Sequence, residues 1–208
     1  MINNYKIRCE EKDDYYAVEN LTREAFFNVY KPGCDEHYVL HKFRNNPDFI
    51  KELSLVVCDL DKIIAHIMYC KTKIIDLDKS FKEVLMFGPV SVLPEYQAKG
   101  IGSMLINYSL DKAKDLGYKA VAITGNPKFY TKLGFELCCS FNIFYEDINN
   151  NDLIPFFLVK ELEKDYLSFK KGVLIEPKDY QVDKDEVDKF DLNFPYKEKL
   201  KLDTQIFN

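Results

Sequence analysis

The 208-residue chain predicts a mixed α/β fold, and three observations carry that expectation. A buried-strand pattern over residues 84–92 runs through a short polar turn into a helical pattern. A second strand, turn and helix follow from Ala120. Two runs rich in Val and Ile, residues 53–58 and 62–71, meet at Asp59-Leu-Asp61 and read as a hairpin. A hydrophobic content of 47% is ample for a sizeable core, at a length that suits one domain with a modest appendage.

Taken in order, residues 5–9 alternate weakly as a first strand. Asp13 or Asp14 then caps a helix whose apolar positions include Val18, Leu21, Ala25 and Phe26, and Lys31-Pro-Gly33 ends it. Residues 35–45 predict a shorter helix closed by Asn46-Pro47. Past the hairpin, a turn near 76–79 leads to the strand at Val84, which stops at Leu93-Pro94 because proline cannot donate to a ladder. In the following helix Leu105, Ile106, Leu110, Ala113 and Leu116 form the buried face, with Ser103, Asn107 and Lys114 on the wet side. After a strand at 120–123, Asn126 caps a helix with Pro127 at its first position; Gly134 ends it between the core candidates Leu133 and Phe135. Residues 137–145 and 153–160 predict a hairpin across Asn149-Asn-Asn-Asp152.

The core is therefore drawn as residues 1–160 and an extension as 161–208. In the extension the sequence predicts a short helix, a turn at Gly172, an extended piece to Tyr180, a helix around 183–190 and a tail. Phe190, Leu192, Phe194, Tyr196 and Phe207 are too apolar for a solvated tail, so it is expected to pack on the core or against a second subunit as a homodimer.

Composition excludes several classes. The net charge is −5, and of 29 basic residues only Arg8, Arg23 and Arg44 are arginine, which argues against a base-reading nucleic-acid protein. No run of about 18 apolar residues occurs and no apolar stretch follows the first charges, so no membrane partner is expected and the protein is read as cytoplasmic. Six cysteines in such a chain are read as reduced thiols, with Cys138 and Cys139 on opposite faces of a strand.

The chemistry concentrates at Pro94-Glu-Tyr-Gln-Ala-Lys-Gly-Ile-Gly-Ser103. The N–H groups of a helix's first turn lack intrahelical partners and carry the positive end of the dipole, which suits a phosphate. Glycine at 100 and 102 removes Cβ atoms that would hold a pyrophosphate off those N–H groups. No Lys-Ser/Thr pair follows as in a Walker A loop, and Leu105 stands where GxGxxG requires its third glycine. The match is QxxGxG, at Gln97, Gly100 and Gly102. Downstream stands Thr124-Gly-Asn-Pro-Lys-Phe-Tyr-Thr-Lys-Leu-Gly-Phe135, of the form NPxFYxxLGF.

With both motifs at this distance the chain resembles the GNAT family of N-acetyltransferases, and its extension resembles those of bacterial members of unassigned substrate. The resemblance implies a mainly antiparallel twisted sheet of about six or seven strands flanked by helices, with acetyl-CoA as acyl donor. It implies that Val90, Ser91 and Val92 meet the pantetheine. Gln97, Lys99, Gly100, Ile101, Gly102, Ser103 and Met104 would meet the pyrophosphate, through N–H groups of residues 99–104. Asn126, Phe129 and Tyr130 complete the donor site, with Tyr130 facing the thioester sulfur as general acid. A phenol of pKa about 10 stays protonated at neutral pH and can donate to a thiolate whose conjugate acid lies near about 8.5.

An amine of pKa about 10.4 must also lose a proton, and Glu36 with His37, from the early helical region that lines the family's acceptor site, are the candidates for the base. His66, among Ile63, Ile64, Ala65 and Ile67, reads as a satisfied sheet histidine. Cys34, His37 and His41 have metal-ligand spacing but lack an evident fourth ligand, so no metal is assigned. The acceptor is a small-molecule amine or a protein amine. Two other readings stand beside this one: an acyl-CoA-binding sensor without turnover, and a metal-binding or partner-binding protein whose working surface lies after Glu161.

Overall fold

A computed structural model describes residues 5–145 and 154–206, which fall into two compact units. Residues 107–177 belong with the second unit and those from 178 with the first.

The first unit comprises residues up to 68, 89–106 and those from 178 onward. Strand β1 (Lys6–Cys9) pairs antiparallel with β2 (Leu55–Asp59), and β2 with the start of β3 (Lys62–Ile75) across the expected hairpin, whose turn is made by Leu60 at φ 53° and Asp61. Helix α1 (Tyr15–Phe26) and helix α2 (Glu36–Phe43) bury Val18, Leu21, Val39, Leu40 and Phe43. Asp14 is the cap residue of α1, but its carboxylate accepts from Arg8 and from the Glu11 N–H instead of a helix amide. That bond, more than charge alone, holds the Asp14 carboxyl below its usual range. Helix α5 (Lys184–Asp191) starts at Asp183, whose Oδ1 accepts from the N–H groups of Asp185 and Glu186.

The second unit holds residues 69–88 and 107–177. Here β4 (Phe81–Val92) pairs in parallel with β5 (Ala120–Thr124) at Leu85–Val121 and Met86–Ala122. Strand β5 pairs antiparallel with β8 (Phe157–Glu161), and β8 with the two-residue β6 (Glu136–Leu137). Strand β7 (Ile143–Tyr145) pairs in parallel with β9 (Gly172–Ile175), and β9 antiparallel with Lys73 to Ile75 of β3. The described strands form one sheet of nine, ordered β1-β2-β3-β4-β5-β8-β6, with β9 and β7 off that path. The sheet is mixed and mainly antiparallel, two strands or more beyond the count expected.

Several expectations are corrected. Of the segments at 137–145 and 153–160 only Leu137 pairs across, with Leu158, since β7 takes β9 as partner and β8 lies between β5 and β6; the asparagine turn lies outside the described residues. Gly172 opens a strand because a Cβ there would stand 2.7 Å from Ile74 Cγ2, so only glycine lets β9 approach β3. No helix forms directly after Glu161, whose carboxylate instead accepts from the N–H groups of Asp165 and Leu167. Cys138 is buried and Cys139 exposed, but in a 3₁₀ turn. Helix α3 (Ile101–Asp115) buries its expected face except for Leu116, which lies past its end beside Gly117 and is 46% exposed. In the tail Phe194 is buried, while Leu192 and Tyr196 face solvent and Phe207 lies outside the described residues. Among the described residues no helix is long and apolar enough to cross a membrane.

Candidate functional site

The end of β4 alternates cleanly. Pro89, Ser91 and Leu93 are buried, Ser91 Oγ donating to Thr22 Oγ1 at 2.9 Å, while Val90 and Val92 are half-open on the other face. A 3₁₀ turn at Pro94–Tyr96 follows, fixed by the Tyr96 hydroxyl donating to Asp59 Oδ2 at 3.0 Å. Gln97 Nε2 donates back to the Val92 carbonyl at 3.0 Å and closes the turn, so that carbonyl is already engaged by the protein. Ala98 and Gly100 are both left-handed, φ 57° and 82°, and such residues turn successive N–H groups toward one concave side. Gly100 is required by its dihedral angle, since a Cβ there would meet nothing. Gly102 is not left-handed, and a Cβ would make only ordinary contact with Val92 Cγ2 at 3.7 Å. The protein's own packing therefore gives no reason for glycine at 102.

The amides of this turn stand open. No acceptor among the described residues takes the N–H of Lys99, Gly100, Ile101, Gly102 or Ser103. Met104 departs from the expectation: its N–H donates to the Gly100 carbonyl at 3.0 Å and is spent inside the helix.

The start of α2 lies in the same unit. Glu36 is half-buried, its Oε2 accepting from the Asp35 N–H at 3.0 Å. Burial raises its carboxyl pKa, with Asp35 adding to the effect and the backbone N–H bonds and Lys31 opposing it. Tyr30 shares the neighbourhood, its hydroxyl pushed up by burial and then by the Glu36 charge.

His37 is wholly enclosed. Its Nδ1 lies 3.5 Å from Cys34 Sγ and its Nε2 3.2 Å from Asp191 Oδ1, the latter too oblique for an aligned hydrogen bond. Burial lowers its pKa to about 4 despite Asp191, so it is neutral at pH 7. His41 Nδ1 instead faces Glu19 Oε1 at 2.9 Å, so it does not join the Cys34–His37 pair. No metal-holding group of three such side chains occurs among the described residues. His66 is buried with Nε2 3.1 Å from Ser54 Oγ, its pKa lowered by burial to about 4.

In the second unit, α4 (Pro127–Tyr130) begins as expected, Asn126 Oδ1 accepting from the Lys128 N–H at 3.0 Å. The segment ends at Gly134 with φ 79°, and Lys160 Nζ donates to the Leu133 carbonyl at 2.6 Å. Tyr130 is half-buried, its ring 5.0 Å from Phe129, 5.7 Å from Phe135 and 5.9 Å from Phe87. Beneath it sits Gly125, where a Cβ would stand 2.4 Å from Tyr130 Cε2. Asn126 and Phe129 are exposed on either side of this turn.

A model of the acetyltransferase (GNAT) family matches residues 15–135, more than half of the sequence and both motifs. The chain belongs to the GNAT family. Members of this family are acyltransferases. The GNAT chain is 30% identical over 87 residues to the uncharacterized N-acetyltransferase YjhQ of Escherichia coli, covering 41% of this chain and 47% of that protein's length. It is 26% identical over 132 residues to YhbS of the same organism, covering 63% of this chain and 73% of that one. The crystal structure of YhbS in complex with CoA has the same fold, with a TM-score of 0.72 at 22% identity over 85% of this chain and 91% of that one. A GNAT family acetyltransferase of Brucella melitensis in complex with acetyl-CoA gives 0.68 at 21% identity, over 86% and 99%.

Sequence reasoning missed Gly125, although it stands inside the downstream motif as the residue before Asn126. It also missed Ala98, whose positive φ has no glycine to announce it.

Proposed function

We propose that this GNAT protein moves the acetyl group of acetyl-CoA to a primary amine by direct attack, with no acetyl-enzyme intermediate. The observation that carries the reading is the run of unclaimed N–H groups at residues 99–103 behind Gly100 and Gly102, which suits the diphosphate of coenzyme A. The CoA and acetyl-CoA bound by two proteins of the same fold support the choice of donor. The backbone along Val90, Ser91 and Val92 is assigned to the pantetheine, with the Ser91 side chain turned away to Thr22, and Gln97 to holding the turn.

In the reaction the amine nitrogen attacks the thioester carbonyl and the C–S bond breaks. Tyr130, with Asn126 and Phe129 beside it, passes its phenol proton to the leaving thiolate; this role rests on the motif. The proton lost by the amine goes to Glu36, whose raised pKa makes it a better base than an ordinary carboxylate. His37 is the weaker of the pair, since its ring is enclosed and hard to protonate. The acceptor is a small cationic amine or the amine of a protein. Six cysteines, none of them in a disulfide, fit a reducing cytoplasm.

The test is thermal stability followed by turnover. At about 100 times its dissociation constant, acetyl-CoA stabilises the fold by about 2.7 kcal/mol, whereas NAD and ATP leave it unchanged. Free-thiol release is then measured over spermidine, tyramine, kanamycin and a peptide with a free N-terminus. No shift with acetyl-CoA ends the reading; a shift without thiol release makes the protein an acyl-CoA sensor.

A further inference from the structure

The loop between α1 and α2 is not held by those helices alone. Asn28 and Gly33 close it, both left-handed at φ 62° and 77°, with the Asn28 N–H donating to the Gly33 carbonyl at 2.9 Å and the Gly33 N–H to Asn28 Oδ1 at 2.8 Å. The chain beyond α5 then lies along it. Asn28 Nδ2 donates to the Glu198 carbonyl at 2.9 Å, and the Leu200 N–H donates to Asn28 Oδ1 at 3.1 Å. Gln205, only 7% exposed, donates from Nε2 to the carbonyls of Asn28 at 3.1 Å and Leu200 at 2.9 Å, and the Ile206 N–H reaches the Tyr30 carbonyl.

At the other end of this arm Asp191 enters between α1 and α2. Arg23, 1% exposed, donates from Nε at 2.6 Å and from Nη2 at 3.0 Å to the two Asp191 oxygens. His37 faces the same carboxylate, and Phe190 and Phe194 pack on the His37 ring at 5.4 and 5.5 Å. The arm is thus tied at one end to α1 and α2 and at the other to the loop that carries Tyr30 and leads into Asp35 and Glu36.

We propose that the C-terminal arm, pinned by Asp191 and by Gln205, is a clamp that positions the acceptor loop, so that selectivity among amines is set by residues far along the chain from those that touch the amine. Asp191 and Gln205 are positioning residues in this arrangement. The inference rests on Glu36 lying at the acceptor side.

The experiment compares wild type, Gln205→Ala, Asp191→Asn and Asp191→Glu, with spermidine and tyramine as amines. Gln205→Ala raises KM for the better amine roughly fivefold, the scale of one or two lost hydrogen bonds. It also changes the ratio of kcat/KM between the two amines and leaves KM for acetyl-CoA unchanged. Asp191→Asn does the same more strongly, and Asp191→Glu recovers part of the loss. Amide hydrogen exchange of the CoA-free protein speeds up at residues 28 and 33 in Gln205→Ala but not within α3. If Asp191→Asn does not fold, Gln205→Ala decides, since its contacts lie at the arm's far end. Unchanged exchange at 28 and 33, or amine and acetyl-CoA KM values rising together, overturns the clamp. Wild-type turnover that survives Glu36→Gln intact overturns the acceptor-side assignment instead, so the two failures are distinguishable.

Discussion

Replacing Gly125 by alanine tests the catalytic turn without touching its tyrosine. The new Cβ would stand 2.4 Å from Tyr130 Cε2, 3.2 Å from Cδ2 and 3.3 Å from Cζ. Carbon atoms rest at about 3.5–4.0 Å, so the ring must move by about 1 Å. Phe87, Phe129 and Phe135 pack against it, which restricts the directions in which it can move. Overpacking of this kind costs about 1–3 kcal/mol of stability, a few degrees in melting temperature. The larger effect is on rate: a misplacement of about 1 Å costs on the order of 10²-fold in kcat, with KM for acetyl-CoA held within about threefold because its diphosphate is assigned elsewhere. Thiol release measures both. A double-mutant cycle decides the cause, because Gly125→Ala acts through the phenol and should add almost nothing in a Tyr130→Phe background. If alanine at 125 slows the Tyr130→Phe enzyme as much as it slows wild type, the proton-donor role of Tyr130 is wrong.

Gly102→Ala leaves the melting temperature unchanged, since its Cβ meets only Val92 at 3.7 Å, but raises KM for acetyl-CoA about tenfold or more; unaltered KM would show that nothing presses on that backbone. For the base, kcat/KM falls as pH drops through the Glu36 pKa, at a midpoint above the ordinary value of about 4.3 because burial raises it, and Glu36→Gln removes that acid limb. His37 and His66 have folded pKa values near 4 against 6.5, so the unfolded chain binds more protons between those pH values and stability is lost as pH falls from 6.5 toward 4. The loss is about 3 kcal/mol for each fully buried histidine, and urea midpoints for His66→Gln should show a shallower fall.

What was legible in the sequence is local. The cap at Asn126, the glycine at 134, the hairpin at 59–61 and the loop at 97–102 each depend on residues a few positions apart, where turn chemistry and periodicity operate. Even within the loop, the pattern showed which residues cluster but not which amides stay open. The loss of Met104 follows from where the first intrahelical bond closes, a matter of one residue in the helix start.

The C-terminal arm shows why the rest was hidden. On α1, Glu19, Thr22 and Arg23 have the composition of a wet face, yet all three are buried. Their partners lie far away: Asp191 is 168 residues from Arg23, and Arg44 is 25 from Glu19. Hydrophobic periodicity finds only apolar burial, and a buried charge is stable only against a partner that periodicity does not reveal. The early helices therefore look like an open acceptor edge until the last thirty residues are placed. Once Arg23 is seen to be fully buried, its counter-ion becomes obligatory, and an uncompensated guanidinium would cost about 3–5 kcal/mol. The arm is therefore part of the folded first unit, and a chain shortened before Asp191 should lose stability before it loses affinity for acetyl-CoA.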